Sequence, residues 1–106
     1  MNQISQNICP LERVIKMIDG KWRVLILWHL RNGHLRFSEL QRKMPTITQK
    51  MLTQQLRELE RHDLISRTTY PEVPPRVEYE LTEHGNSLMP LLVMVNDWGT
   101  KYYEDM

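Results

Sequence analysis

Apolar residues recur at helical spacing along most of this chain and alternate in strand fashion only between Leu64 and Leu81. Leu11, Val14, Ile15 and Ile18 follow the i, i+3, i+4, i+7 order of a helix stripe, and Pro10, directly after Cys9, suits a first helical position. Asp19 and Gly20 break this helix. Lys21 to Leu30 predicts a second one, in which Trp22, Leu25, Ile26, Leu27, Trp28 and Leu30 leave few polar positions, so it belongs at the centre of the core. Asn32 and Gly33 stop it. Leu35 to Phe37 predicts a short strand, and Phe37, Leu40 and Met44 a brief third helix that ends at Pro45. Residues 1–8 show no periodicity and predict a loose arm.

The stretch from Thr46 to Arg67 carries the strongest pattern. On a wheel of roughly 100° per residue, Leu52, Leu56 and Leu59 form one narrow stripe with Met51 at its edge, while Lys50, Thr53, Gln54, Arg57 and Arg61 lie opposite. Glu58 and Glu60 project to the flanks, which leaves an outer face with three cations and no carboxylate. Thr and Gln can hydrogen-bond base edges, and Lys and Arg meet phosphate or guanine. Taken alone, the helix fits a solvated amphipathic element equally well. Thr46 or Thr48 can cap it; if Thr48 does, Ile47 and Met51 are placed as a hydrophobic staple.

Leu64 to Tyr70 and Arg76 to Leu81 alternate around a turn of Pro71, Glu72, Val73, Pro74 and Pro75, which predicts a hairpin with a stiff tip. Thr82 caps a final helix whose stripe is Leu88, Leu91, Leu92, Val95, Trp98 and Tyr102. Met89, Val93, Met94 and Tyr103 lie outside that stripe, so the helix carries more apolar surface than one domain core can cover. A second copy of the chain is the expected cover.

At 106 residues this is a single domain, and 41% hydrophobic with 25% charged residues suits a soluble helical protein. The longest apolar run, Val24 to Trp28, is too short for a bilayer. The N-terminus lacks a basic region followed by an apolar core, and one cysteine excludes an intramolecular disulfide, so a cytoplasmic protein without membrane association is expected. Net charge is only +1, but it is unevenly spread. Between His34 and Arg76, eight Lys and Arg stand against five acids, which puts +3 there and −2 in the remainder. The order of elements, mainly α with a small β-hairpin, is that of a winged helix-turn-helix, and in that setting the basic fourth helix is the one that reads double-stranded DNA. The rival is a winged-helix protein-interaction module. It is weakened because the outer face of Thr48 to His62 has no aromatic or aliphatic anchor.

Cys9-Pro10-Leu11-Glu12, Gly20-Lys21-Trp22, Arg36-Phe37-Ser38-Glu39-Leu40, Leu52-Thr53-Gln54-Gln55-Leu56-Arg57-Glu58-Leu59-Glu60 and Tyr70-Pro71-Glu72-Val73-Pro74-Pro75-Arg76-Val77-Glu78-Tyr79, leading to Leu81-Thr82, occur in this order. Through them the chain, from about Cys9 to Gly99, resembles the HxlR family of bacterial transcription regulators, relatives of the MarR-type winged-helix proteins. The resemblance implies a homodimeric repressor or activator joined through its terminal helices, whose two reading helices enter successive major grooves of a roughly palindromic operator. It places Lys50, Thr53, Gln54 and Arg57 towards the groove, with Arg61 on the same face, and Arg67 and Arg76 on the wing near backbone or minor groove. Arg36 and Ser38, at the start of the third helix, are expected at phosphate. The expected dimer surface takes Leu11 and Ile15 from the first helix and Leu88, Leu92, Val95, Trp98 and Tyr102 from the last, with Leu92 and Trp98 as anchors.

A thiolate at Cys9 would feel the positive end of the first helix, with Arg13 one turn on. Some members of the resembled family use a cysteine at this position to sense oxidants or electrophiles; the alternative is a small residue packed at a helix start. His29, His34, His62 and His84 show no metal-ligand spacing, so no metal or other cofactor is expected. The tryptophans and methionines read as packing, although a pocket at a dimer seam could take a small apolar effector. No nucleophile-base set or glycine-rich phosphate loop points to an enzyme.

Overall fold

The computed structural model describes residues 8–104, so the arm expected over residues 1–8 lies outside the described residues except for Ile8. α1 (Pro10–Ile18) begins at the expected proline, and none of its residues is buried within the protomer. Gly20, at φ 95°, makes the break that follows, its amide donating to Asp19 Oδ1 at 2.8 Å. α2 (Arg23–His29) starts two residues later than the periodicity predicts, and Ile26 and Leu27 on it are fully buried. β1 (Leu35–Arg36) leads into α3 (Phe37–Lys43), and a turn leads to α4 (Gln49–Arg61). β2 (Ile65–Tyr70) and β3 (Arg76–Leu81) form the wing, and α5 (Glu83–Tyr103) closes the chain.

The short strand is part of the wing sheet, because β1 pairs antiparallel with β3 through Leu35↔Tyr79 and Arg36↔Glu78. The order is β1-β3-β2, with β2 and β3 registered from Ile65↔Leu81 to Tyr70↔Arg76. Beneath the sheet, Leu52, Leu56 and Leu59 of α4 meet Ile26, Leu27 and Leu30 around α2, Leu40 of α3 and Leu64 in one apolar cluster. Each leucine so buried contributes about 1.5–3 kcal/mol over its exposed state. The fold is therefore the mainly helical winged helix-turn-helix expected from the element order.

Thr48 is the cap of α4: its Oγ1 accepts from the Met51 amide at 3.0 Å. At the other end the amide of Leu64 donates to Leu59 O at 3.0 Å and that of Asp63 to Glu60 O at 2.9 Å, a Schellman closure with Asp63 at φ 59°. Thr82 then joins α5 to this corner. Its Oγ1 donates to Asp63 O at 2.6 Å and accepts from the Gly85 amide at 2.9 Å, while its own amide donates to Leu64 O at 3.1 Å. Gly85 is so close that a Cβ there would strike the Leu64 carbonyl.

Two substitutions test this corner. Gly85→Ala gains helix propensity of about 1 kcal/mol but must push α5 off a backbone carbonyl, so a net loss of about 1–3 kcal/mol is expected. Asp63→Gly removes the left-handed strain of a side-chain-bearing residue and is expected to raise stability by about 0.5–1 kcal/mol, after the entropy that glycine adds to the unfolded chain. Urea unfolding at constant m-value measures both, and a stabilised Gly85→Ala would show that α5 is not seated on Leu64.

Candidate nucleic-acid interface

With its leucines inward, α4 presents Gln49, Lys50, Thr53, Gln54, Arg57 and Glu58 along one open concave surface. Four of these are the expected groove-facing set, Lys50, Thr53, Gln54 and Arg57. Glu58 is a correction. It lines the surface instead of standing aside on a flank, so the outer face is not free of carboxylate. One helical turn brings it to Arg61, which donates to it through Nε at 2.7 Å and Nη2 at 3.1 Å. Hydrogen bonding from Arg61 holds the Glu58 carboxyl below its ordinary range, and the same bond raises the Arg61 guanidinium.

The basic residues thus fall into two groups. Lys50 and Arg57 make no ion pair among the described residues. Arg61 pairs with Glu58, Arg67 Nε lies 3.7 Å from Glu60 Oε1, and Arg76 is held twice, Nη2 at 3.0 Å from Glu72 Oε2 and Nε at 3.6 Å from Glu78 Oε2. The Arg76 guanidinium also stacks 4.1 Å from the Tyr70 ring centroid, its cross-strand neighbour, and its side chain is only 29% exposed. Arg61 and Arg67 are mostly exposed, and such pairs contribute about 0–1 kcal/mol, so a phosphate can compete for either cation. Arg76 is the least available of the cations expected at DNA. Tyr79, between these arginines on β3, has its phenol raised by burial, against an opposing pull from Arg67 and Arg57.

Arg36 and Ser38 border a polar cleft with His34, Glu39, Arg42, Arg76 and Glu78. Glu39 Oε1 accepts the Arg36 amide at 2.8 Å, which satisfies one of the free N–H groups expected to meet phosphate there. Arg42, which is not among the residues expected there, joins them in the cleft, and its i, i+4 relation to Ser38 on a short helix places the two on one face.

Away from α4, on α1 and α5, Leu11, Ile15, Val95, Trp98 and Tyr102 are exposed, as are Leu91, Met94 and Tyr103 of α5. Trp98 lies 5.1 Å from Tyr102 and 5.4 Å from Tyr103 between ring centroids, forming an aromatic patch at the end of α5. Leu92 departs from the expected anchor role: at 6% exposure it is part of the protomer's own core, and Leu88 packs against that core too. Leu88 and Leu92 of the stripe are thus covered by the domain, whereas Leu91, Val95, Trp98 and Tyr102 of the same stripe face outward. Cys9 is exposed at the start of α1. Among the described residues no three His, Cys, Asp or Glu are grouped as a metal site, and no helix is long and apolar enough to cross a membrane.

Comparison with known proteins gives this geometry its context. The model of the HxlR-like helix-turn-helix family matches residues 17–106. An HTH-type transcriptional regulator of Methanothermobacter thermautotrophicus is 54% identical over 98 residues, 92% of this chain and 75% of that protein. YtcD of Bacillus subtilis, an HTH-type transcriptional regulator, is 54% identical over 102 residues, 96% of this chain and 80% of the relative. A crystal structure of ytcD matches with a TM-score of 0.86 at 52% identity, covering 92% of this chain and 99% of that one. The oxidized form of the redox regulator HypR matches with a TM-score of 0.83 at 45% identity, covering 88% and 96%. The chain, with its buried leucine stripe, outward basic helix and three-stranded wing, therefore belongs to the HxlR-like helix-turn-helix family and is a transcriptional regulator of the helix-turn-helix type.

Proposed function

We propose that the protein acts in the cytoplasm as a homodimeric repressor or activator on a roughly palindromic DNA operator, and that Cys9 adjusts its affinity in response to oxidants or electrophiles. The observation that carries the DNA reading is the outward face of α4. Unpaired Lys50 and Arg57 flank Thr53 and Gln54 there, while every leucine of the helix is out of water. A helix so placed offers hydrogen-bonding side chains to base edges and cations to guanine or phosphate. Arg61, Arg67, Arg36 and Ser38 are assigned to backbone contacts, the first two after exchanging a carboxylate for a phosphate. Arg76 has the weakest claim because it is already held on two sides. Two copies are needed to cover Leu11 and Ile15 of α1 and Val95, Trp98 and Tyr102 of α5, and a two-fold dimer matches a two-fold operator.

Support for the cysteine comes from the similar chains. HypR is described as a redox regulator in oxidized and reduced forms, and YodB of B. subtilis, matched with a TM-score of 0.73 at 34% identity over 91% of this chain and 96% of that one, in a diamide-treated form. Here Cys9 is exposed at the head of the helix assigned to the dimer seam.

DNA fragments retained by the purified protein supply the operator for titration over a salt series. Arg57→Ala and Lys50→Ala are expected to retain the fold and weaken binding. Loss of a bidentate base contact costs about 1–3 kcal/mol, and loss of a phosphate contact lowers the salt slope by about 1. If neither variant moves affinity, α4 is not the reading helix. In light scattering at micromolar concentration the protein is expected to be a dimer and Trp98→Ala to shift it towards monomer; a monomeric parent chain removes the two-groove arrangement. Diamide with glutathione is expected to join Cys9 and one glutathione in a mixed disulfide, the two electrons and two protons passing to diamide, and to lower operator affinity. Cys9→Ser should not respond. Unchanged affinity after complete modification, confirmed by mass spectrometry, leaves Cys9 without a sensing role.

A further inference from the structure

Gln55 stands next to Gln54 in the chain yet turns inward, where it is held by a residue of another helix. Arg23 Nε donates to Gln55 Oε1 at 2.9 Å, and Arg23 Nη1 donates to the carbonyl of Met17 at 3.2 Å. The Gln55 amide in turn donates to Met51 Sδ at 3.3 Å. All three contacts are partly buried. Met17 lies in the last turn of α1, where carbonyls lack helical donors and favour a cation. One guanidinium therefore joins the end of α1 to the middle of α4.

We infer that Arg23 is a positioning residue for DNA reading, fixing α4 relative to α1 through Gln55 without touching DNA itself. The inference rests on the reading of α4 as the DNA-reading helix. α1 has no fully buried residue within the protomer, and Met17 and Ile18 at its end pack only partly buried against the core, so the Arg23 bridge adds a directional contact between that end and α4. Gln55 lies between Gln54 and Leu56, so the tie meets α4 where an outward residue and a buried one adjoin. The planar fork of arginine suits the task because two donors leave the same rigid group in different directions; a lysine ammonium on a flexible stem cannot hold both acceptors in that geometry.

The competing role for an arginine near the basic face is a direct phosphate contact, and a double-mutant cycle with a salt series separates the two. Arg23→Ala, Arg23→Lys, Gln55→Ala and the Arg23→Ala/Gln55→Ala pair are prepared in the full chain, their folding checked by circular dichroism. Their affinities are measured for the retained operator and for unrelated DNA of equal length. Positioning predicts that each single variant loses about five- to tenfold of operator affinity, that the pair loses no more than either, and that Arg23→Lys does not recover the loss. Affinity for unrelated DNA and the salt slope stay unchanged. A salt slope reduced by about 1 in Arg23→Ala with Gln55→Ala silent overturns the inference in favour of a phosphate contact, and additive losses overturn it in favour of independent roles. Amide hydrogen exchange of α4 in the DNA-free variants keeps the two layers apart. Faster, non-additive exchange around Gln55 in a parent chain that binds no operator overturns the DNA reading and retains the tie, whereas unchanged exchange with operator binding intact overturns the tie alone.

Discussion

Leu52, Leu56 and Leu59 leave water completely, and their burial against Ile26, Leu27 and Leu30 fixes the rotation of α4 about its own axis. A turn of one position, about 100°, would carry Thr53 or Gln55 into the core and expose a leucine. Burial of three leucines, at about 1.5–3 kcal/mol each, opposes that rotation far more strongly than any exposed ion pair on the outer face could favour it. The outward set of Lys50, Thr53, Gln54 and Arg57 is therefore dictated by the inward one. In the proposed reading of DNA, the groove-facing residues thus have a direction that the core has already settled.

The ends of α4 are as determined as its rotation. The Thr48 hydroxyl takes up a free amide at the start, and the Schellman closure at Asp63 and Leu64 turns the chain directly into β2. Thr82 and Gly85 then seat α5 on that same corner, so the wing and the last helix take their positions from the C-terminal end of α4. A left-handed Asp63 is tolerated in this closure because its carbonyl accepts the Thr82 hydroxyl and the following leucine is buried.

Much of this was legible in the sequence because it depends on local spacing. The leucine stripe, the proline opening α1, the wing strands and the Thr82 cap are each written within a few residues, and the structure places them where the pattern does. What escaped the sequence depends on partners distant in the chain or on the length of an element. β1 was legible as a short strand, but its pairing with β3, more than forty residues on, was not. Leu92 belongs to the same stripe as Trp98, but a helix of 21 residues, about 30 Å long, outruns the domain it lies on, so one stripe faces two environments. Glu58 and Gln55 show the limit of the wheel itself. It gives the direction of a Cβ, while Arg61 in one case and Arg23 in the other decide where the end of the side chain goes.

That division bears on how a regulator of this size can respond to anything other than DNA. In the proposed dimer the surfaces left for a second copy belong to α1 and α5, and each of these helices is joined to α4 or its C-terminal corner by a specific polar contact. α5 reaches it through Thr82 at the corner after His62, and α1 through Arg23 at Gln55. Both contacts are short and partly or wholly built on backbone carbonyls, which cannot swing away as a side chain can. Two reading helices acting on one operator must stay about one DNA turn, roughly 34 Å, apart. In the proposed dimer a displacement of α1 near Cys9 cannot be absorbed in the seam alone, because the far end of that helix is fastened to the element whose spacing matters. The response would need no change in fold, only a shift in the distance between two rigid leucine-anchored helices.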